Sequence, residues 1–144
     1  MKYSEKEVIN SLSYCNPSTI YDPAVNAYTH SVSTNGSGDI VFISGQSGGE
    51  GVNHKLSSSF ETQVQEALKN LLLVLESQGL KSNDVAKITV LIVDHDLEKL
   101  KVWTREALKV WSKDKLPAST LIPVPRLALD DMLIEVDAIA FRKG

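Results

Sequence analysis

The sequence predicts a single α+β domain of order β-β-α-β-α-β-β, with two helices on one face of a sheet. Three observations support this fold class. The 144 residues fit one domain better than two. Two segments repeat apolar residues at spacings of three and four, which is typical of amphipathic helices. The runs between them are rich in β-branched residues, which favour strands.

The N-terminal 20 residues predict a leader, and the domain is expected to occupy residues 21–144. A few apolar residues after Ser4 have helical spacing: Val8, Ile9 and Leu12. Pro17 would end such a helix, because proline disrupts a helix interior. No apolar run follows a basic start, so no signal peptide is expected.

A weakly alternating run over 27–32 and a strongly apolar run over 39–45 flank the turn-forming residues 35–38. Glycine and asparagine tolerate positive φ, so the two runs together predict a β-hairpin. Residues 46–56 contain three glycines and predict a loop.

Residues 58–78 give the strongest helix prediction. Ser58 followed by Glu61 predicts a capping box at its start. One apolar stripe then recurs at spacings of three and four: Phe60, Val64, Ala67, Leu68, Leu71, Leu72 and Leu75. Gly79 is expected to end the helix, with Leu80 folding back as the hydrophobic contact.

The C-terminal half alternates strands with a second helix. Residues 85–93 predict a buried strand, and 94–96 predict a cap for a helix over 97–113. One face of this helix carries Leu100, Trp103, Ala107, Val110 and Trp111. Residues 116–125 predict an extended segment, but three prolines there exclude a fully paired central strand. A final strand is expected over 133–141.

The final strand has apolar residues on both faces. Side chains alternate along a strand, so one face carries Ile134, Val136, Ala138 and Ala140. The other face carries Leu133, Glu135, Asp137, Ile139 and Phe141. Helices would cover one face of the sheet. The second face is therefore expected to point toward another subunit, which favours an oligomer.

Glu135 and Asp137 are the strongest candidates for chemistry. Both project from one face of a largely apolar strand, where desolvating an unpaired carboxylate is costly. Such a group can act as a general acid or base. An ion pair with a lysine or arginine is the alternative interpretation. Ser44 and Gly45 end the first strong strand, where glycine would let a ligand approach the backbone; an ordinary turn is the alternative there.

Composition disfavours several classes of function. The net charge of -3, without a Lys/Arg block, disfavours nucleic-acid binding, whose non-specific part is electrostatic. The only cysteine, Cys15, excludes an intrachain disulfide and suits a reducing, cytoplasmic compartment. His30, His54 and His95 lack metal-ligand spacing, so no metal is expected. The longest apolar run, 71–75, is too short to span a bilayer, and no membrane partner is expected.

Several stretches resemble one family in the right order. They are Tyr28-Thr-His-Ser-Val32 for its "YSHAV" segment, Ile43-Ser-Gly-Gln46 for its "SGQ" strand end, 61–79 for its first helix, 80–94 for the following strand, and Pro117-Ala118 with Ile134-Glu-Val-Asp-Ala-Ile-Ala140 for its C-terminal signature. The match runs from about residue 17 to 142. On these motifs the chain is identified as a member of the Rid (YjgF) family.

The resemblance implies a chorismate-mutase-like fold with a mixed sheet, assembled as a homotrimer with clefts between subunits. The deaminase branch of the family hydrolyses enamines and imines, such as 2-aminoacrylate, to a keto acid and ammonia without a metal or organic cofactor. In that branch an arginine shortly after "PA" binds the substrate carboxylate. A glutamate on the last strand positions the hydrolytic water, and a tyrosine and the "SGQ" strand end line the cleft.

Carried over by position, the resemblance gives Glu135 the catalytic role and gives ligand binding to Tyr28, Ser44, Gly45, Ser119 and Thr120. Ser119 stands where the deaminases have their arginine, and Arg126 belongs to the following loop. Truncating a buried charge-assisted contact costs about 2–5 kcal/mol, which is roughly 30- to several-thousand-fold in rate. Serine and threonine hydroxyls carry no charge, so they suit a neutral ligand better than an imino acid.

The expected function is therefore binding of a small carbonyl or imine compound, with weak or no 2-imino-acid deaminase activity. One alternative is a genuine 2-aminoacrylate deaminase that uses another basic group. Another is an RNA-acting or protein-interaction role, which older family labels suggest. The acidic balance of the chain argues against direct RNA cleavage.

Overall fold

Two helices pack on one face of a four-stranded mixed sheet in residues 11–144, the part of the chain that the computed structural model describes. The strands are β1 Leu12–Cys15, β2 Ser31–Thr34, β3 Gly38–Ser47, β4 Gly49–Glu50, β5 Lys55–Leu56, β6 Val85–Val93, β7 Ala118–Val124 and β8 Ile134–Lys143. The helices are α1 Phe60–Ser77 and α2 Leu97–Val110. Single 3-10 turns lie at Pro23–Asn26, Ser82–Asp84 and Lys113–Lys115. The predicted α+β class is confirmed.

The main sheet has the order β3-β8-β6-β7. Strands β6 and β7 are parallel, and β8 is antiparallel to both β3 and β6. The proline-rich segment becomes β7 at the sheet edge, with Pro123 paired to Ile92. Edge strands tolerate proline because one side of their backbone needs no ladder partner. The prediction that this segment is not a central strand is confirmed.

The predicted hairpin between the first two runs is wrong. Strand β2 pairs with β1 in an antiparallel two-stranded sheet, while β3 pairs with β8. The turn itself is present, with Gly36 at a φ of 77°. Leu12 lies in β1 instead of the expected helix. Val8 and Ile9 lie outside the described residues.

Capping residues explain where both helices begin and end. The N-cap of α1 is Ser59, whose hydroxyl accepts from the Thr62 amide, and not the predicted Ser58. At its C-terminus the Leu80 amide donates to the Leu75 carbonyl at 2.9 Å, and Gly79 has a φ of 72°. This is the predicted glycine stop. Helix α2 begins after Asp96, as predicted, but ends three residues early because Trp111 has an extended backbone.

The two faces of the sheet have opposite environments. The helix-covered face is buried and carries Val41 and Ile43 of β3, Ile88, Val90 and Ile92 of β6, and Ile134, Val136, Ala138 and Ala140 of β8. Trp103 of α2 and Trp111, which follows the helix, join this core. The opposite face is open in the protomer, and Phe42 there is 76% exposed. Among the residues described, no helix combines the length and apolarity needed to span a membrane.

Candidate functional site

Glu135 lies directly against Gly45 on the open face of the sheet. The ladder between β3 and β8 shifts register between Ile43 and Gln46, so Ser44 and Gly45 form a β-bulge. A Cβ on Gly45 would lie 1.8 Å from Glu135 Oε2 and 2.7 Å from its Cγ. Only glycine leaves room for this carboxylate. The structure thus brings together three of the predicted site residues.

Helix α1 forms hydrogen bonds with the same end of β3. The Asn70 side-chain amide donates to the Ser47 and Gly49 carbonyls, both at 2.9 Å. These two hydrogen bonds connect α1 to the backbone at the end of β3 and the start of β4. The sequence alone predicts no role for Asn70. Its role is visible only once β3 and α1 are packed together.

The other predicted ligand residues line a separate cavity of about 330 Å³ between α2 and the edge strand β7. Its polar lining is uncharged when histidine is neutral: Asn26, Tyr28, His95, Ser119 and Thr120. Trp103 and two leucines supply the apolar wall. Asn26, His95 and Trp103 were not predicted to contribute to this site, because their approach to β7 depends on the packing of α2.

Tyr28 reaches this cavity because its segment runs alongside β7. Thr29 forms a parallel bridge with Ala118, and its amide donates to the Pro117 carbonyl at 3.0 Å. The hydroxyl of Tyr28 bonds that of Tyr21. Desolvation, followed by this hydrogen bond, raises the pKa of Tyr28 to about 12. A tyrosine phenol is protonated near neutral pH, so Tyr28 can donate a hydrogen bond.

No arginine lines the cavity at Ser119, although Arg105 lines a neighbouring cavity that shares Asn26 and Leu100 with it. The chain has three arginines, all within the described residues, and each is paired elsewhere. Arg105 contacts Glu61 and Glu106 at 3.2 Å each, Arg126 pairs with Asp130, and Arg142 with Asp39.

One lysine does contact the predicted ligand residues. Lys87 Nζ donates to Thr120 Oγ1 at 3.1 Å and to the Ile88 carbonyl at 2.8 Å. Desolvation lowers the pKa of Lys87, and the nearby Asp137 carboxylate opposes that shift. Asp137 itself accepts from the Thr89 amide at 3.0 Å. An ion pair with a lysine or arginine, the alternative interpretation of this carboxylate, stays a prediction, because the hydrogen bond of Asp137 is to a backbone amide.

Within one protomer Glu135 lies apart from Ser119 and Thr120. Glu135 belongs to β8, whereas Ser119 and Thr120 belong to β7, and β6 lies between these strands. Neighbouring strands are about 4.8 Å apart, and Glu135 is level with Ile122 of β7, which follows Ser119 by three residues. The carboxylate and the cavity are therefore more than two strand spacings apart. A ligand that touches both groups must be large, or must lie between protomers.

The close approach at Gly45 makes a direct prediction about stability. Gly45→Ala should lower the free energy of unfolding by about 1–3 kcal/mol, because the new methyl group overlaps the Glu135 side chain. In a Glu135→Ala background the overlapping atoms are gone, and the same change should be nearly neutral. Urea denaturation of the four proteins measures the coupling. An equal effect of Gly45→Ala in both backgrounds would contradict the packing.

Comparison with known proteins supports the family resemblance. The family model described as endoribonuclease L-PSP matches residues 19–142. A RutC family protein of Pyrococcus horikoshii is 29% identical over 140 residues, which cover 96% of this chain and 99% of that protein. A 2-iminobutanoate/2-iminopropanoate deaminase of Salmonella typhimurium is 31% identical over 107 residues, which cover 74% of this chain and 82% of that protein.

The fold comparison agrees with the sequence match. A solved Rid-family protein of unknown function from Yersinia pestis superposes with a TM-score of 0.86 at 26% identity, covering 92% of this chain and 99% of that one. RidA of an Antarctic Psychrobacter gives a TM-score of 0.66 at 25% identity, covering 80% and 88%. Together with the family model, which spans almost the whole described chain, these similarities show that the chain belongs to the Rid family.

Proposed function

We propose that this Rid-family domain binds a small neutral carbonyl or imine compound, and that Glu135 positions water for any hydrolysis. The observation that carries the proposal is the cavity at Ser119, which is lined by uncharged hydrogen-bonding groups while every arginine of the chain is paired elsewhere. A carboxylate buried there would lose its hydration without gaining a guanidinium partner. A neutral amide, ketone or imine avoids that penalty.

The proposed site lies in a cleft of a homotrimer. The open sheet face carries large exposed apolar side chains: Ile40, Phe42, Ile122 and Ile139. Exposed apolar surface of this kind marks association sites. A neighbouring protomer that covers this face could bring its own residues close to Glu135. The separation of Glu135 from the Ser119 cavity within one protomer supports such a shared site.

A matched pair of ligands tests whether the Ser119 cavity prefers a neutral ligand to a carboxylate. Pyruvamide and pyruvate have nearly the same shape, and Trp103 in the cavity wall reports binding by its fluorescence. We expect pyruvamide to bind the native protein at least about tenfold more tightly than pyruvate, which corresponds to about 1.4 kcal/mol. Ser119→Arg should reverse this order, because it supplies a guanidinium for the carboxylate.

The control for this experiment is Ser112→Arg, the same substitution at an exposed serine, and it should leave both affinities unchanged. Turnover of freshly generated 2-aminoacrylate provides the functional measurement. Native turnover should be weak, and Ser119→Arg should raise it. Native turnover comparable to that of arginine-bearing relatives would overturn the proposal.

The contacts of Lys87 support a second candidate function, a deaminase in which this lysine binds the substrate carboxylate. Its ammonium reaches Thr120 from the open face of the sheet. In that case native turnover of 2-aminoacrylate would be high, and Lys87→Met would abolish it. Lys113→Met is the matched control, since Lys113 lies on an exposed 3-10 turn.

A further inference from the structure

A serine–histidine pair lies beside Glu135 and is not used by the proposed imine chemistry. The hydroxyl of Ser47 forms a hydrogen bond with Nε2 of His54. Ser47 is the direct cross-strand partner of Glu135. Such partners place their Cβ atoms about 4.5–5.5 Å apart on one face of the sheet. The pair and the carboxylate therefore share one region of the open face.

The backbone conformation of the loop after β3 places the His54 ring next to Ser47. His54 has a φ of 52°, a left-handed conformation that few non-glycine residues adopt. Its amide donates to the Gly51 carbonyl at 3.1 Å. The ring lies against Gly49, where a Cβ would come within 2.1 Å of Cδ2. Strained backbone of this kind is concentrated at functional sites.

The backbone around Ser47 is fixed as well. Asn70 of α1 binds the carbonyls of Ser47 and Gly49, so the strand end that carries the hydroxyl is anchored to the core. Positioning of a nucleophile and its base within hydrogen-bonding distance is the arrangement that nucleophilic catalysis requires.

We propose that Ser47 is a nucleophile activated by His54, and that the pair accepts acyl groups from small activated esters or thioesters. Ser47 Oγ attacks the acyl carbon as its proton passes to Nε2 of His54. The leaving alkoxide or thiolate takes that proton and departs, which leaves an acyl-serine. Water then attacks the acyl carbon, its proton passes through His54 to Oγ, and the carboxylic acid and free serine are released.

A fluorophosphonate probe tests the nucleophile without any knowledge of the natural substrate. The native protein should form one covalent adduct, which peptide mass spectrometry should map to Ser47. Ser47→Ala should form none, and the control Ser112→Ala, at an exposed serine, should label normally. His54→Asn should slow labelling by about 100-fold, which is within the range of a lost general base. Asparagine tolerates positive φ, so this variant should retain the hairpin; circular dichroism checks its fold.

Two results would overturn the proposal: absence of a Ser47 adduct in the native protein, or labelling of folded His54→Asn at the native rate. Hydrolysis of p-nitrophenyl acetate gives a second readout, with an acetyl adduct expected on Ser47 and none in Ser47→Ala. The cavity at Ser119 is tested separately. Pyruvamide binding without labelling of Ser47 would remove only the acyl-transfer proposal, whereas labelling without pyruvamide binding would remove only the neutral-ligand proposal.

Discussion

Replacing Gln63 with leucine is expected to lower the free energy of unfolding by about 3–5 kcal/mol. Gln63 is fully buried in α1. Its side-chain amide donates to the carbonyls of Ser57 and Asp131 at 2.6 and 2.8 Å, and its oxygen accepts from the Leu133 amide at 2.9 Å. Leucine keeps the volume but leaves three backbone groups without partners. Each such group costs about 1–3 kcal/mol when it remains buried.

The control for Gln63→Leu is Lys69→Leu, which places leucine at an exposed position of the same helix. Its effect should stay within about 0.5 kcal/mol, as for most surface substitutions. Urea denaturation monitored by circular dichroism gives both values. Similar midpoints for the two variants would show that Gln63 does not link α1 to the start of β8.

Leu71→Ala is expected to destabilise the domain by about 2–5 kcal/mol, the range for large-to-small changes in a packed core. Leu71 is fully buried, at the centre of the face that α1 presents to the sheet. The loss combines the transfer free energy of the removed carbon atoms with the cavity they leave. Loss of contact between α1 and β8 would also loosen the strand that carries Glu135.

The matched control for Leu71→Ala is Leu73→Ala, which makes the same truncation on the opposite side of the helix, where Leu73 is 52% exposed. We expect its effect on the free energy of unfolding to be below about 1 kcal/mol. Thermal unfolding of both variants compares them directly. If the two variants lost equal stability, the assignment of the inner face of α1 would be wrong.

Sequence patterns predicted those helices and strands whose structure depends on the side-chain periodicity of a single segment. The stripe of α1 and the Gly79 stop gave the helix within two residues at its start and one at its end. The β-branched run gave β6 over its full length. Alternation in β8 separated the buried face from the face that carries Glu135 between Ile134 and Ala140, whereas Phe141, predicted on the Glu135 face, is buried. In each case the period of the side chains matches the geometry of the backbone.

Partner choice among strands could not be derived in the same way. The turn near Gly36 is local, but it does not decide whether β3 pairs with β2 or with β8. That choice depends on which distant strand offers β3 a complementary apolar face once the helices have packed. The true N-cap, Ser59, was also one residue from the predicted one, because neighbouring serines are equivalent in sequence.

The sequence by itself determined the fold class and the resemblance to the Rid family. Tertiary structure alone decided that Glu135 rests on Gly45, that Ser119 opens into a cavity with Tyr28 and His95, and that His54 meets Ser47. The physical reason is the separation along the chain between the residues that interact. Helix and strand periodicities arise between residues a few positions apart, whereas each of these contacts depends on a bulge, a strained loop or a helix packed from elsewhere in the chain.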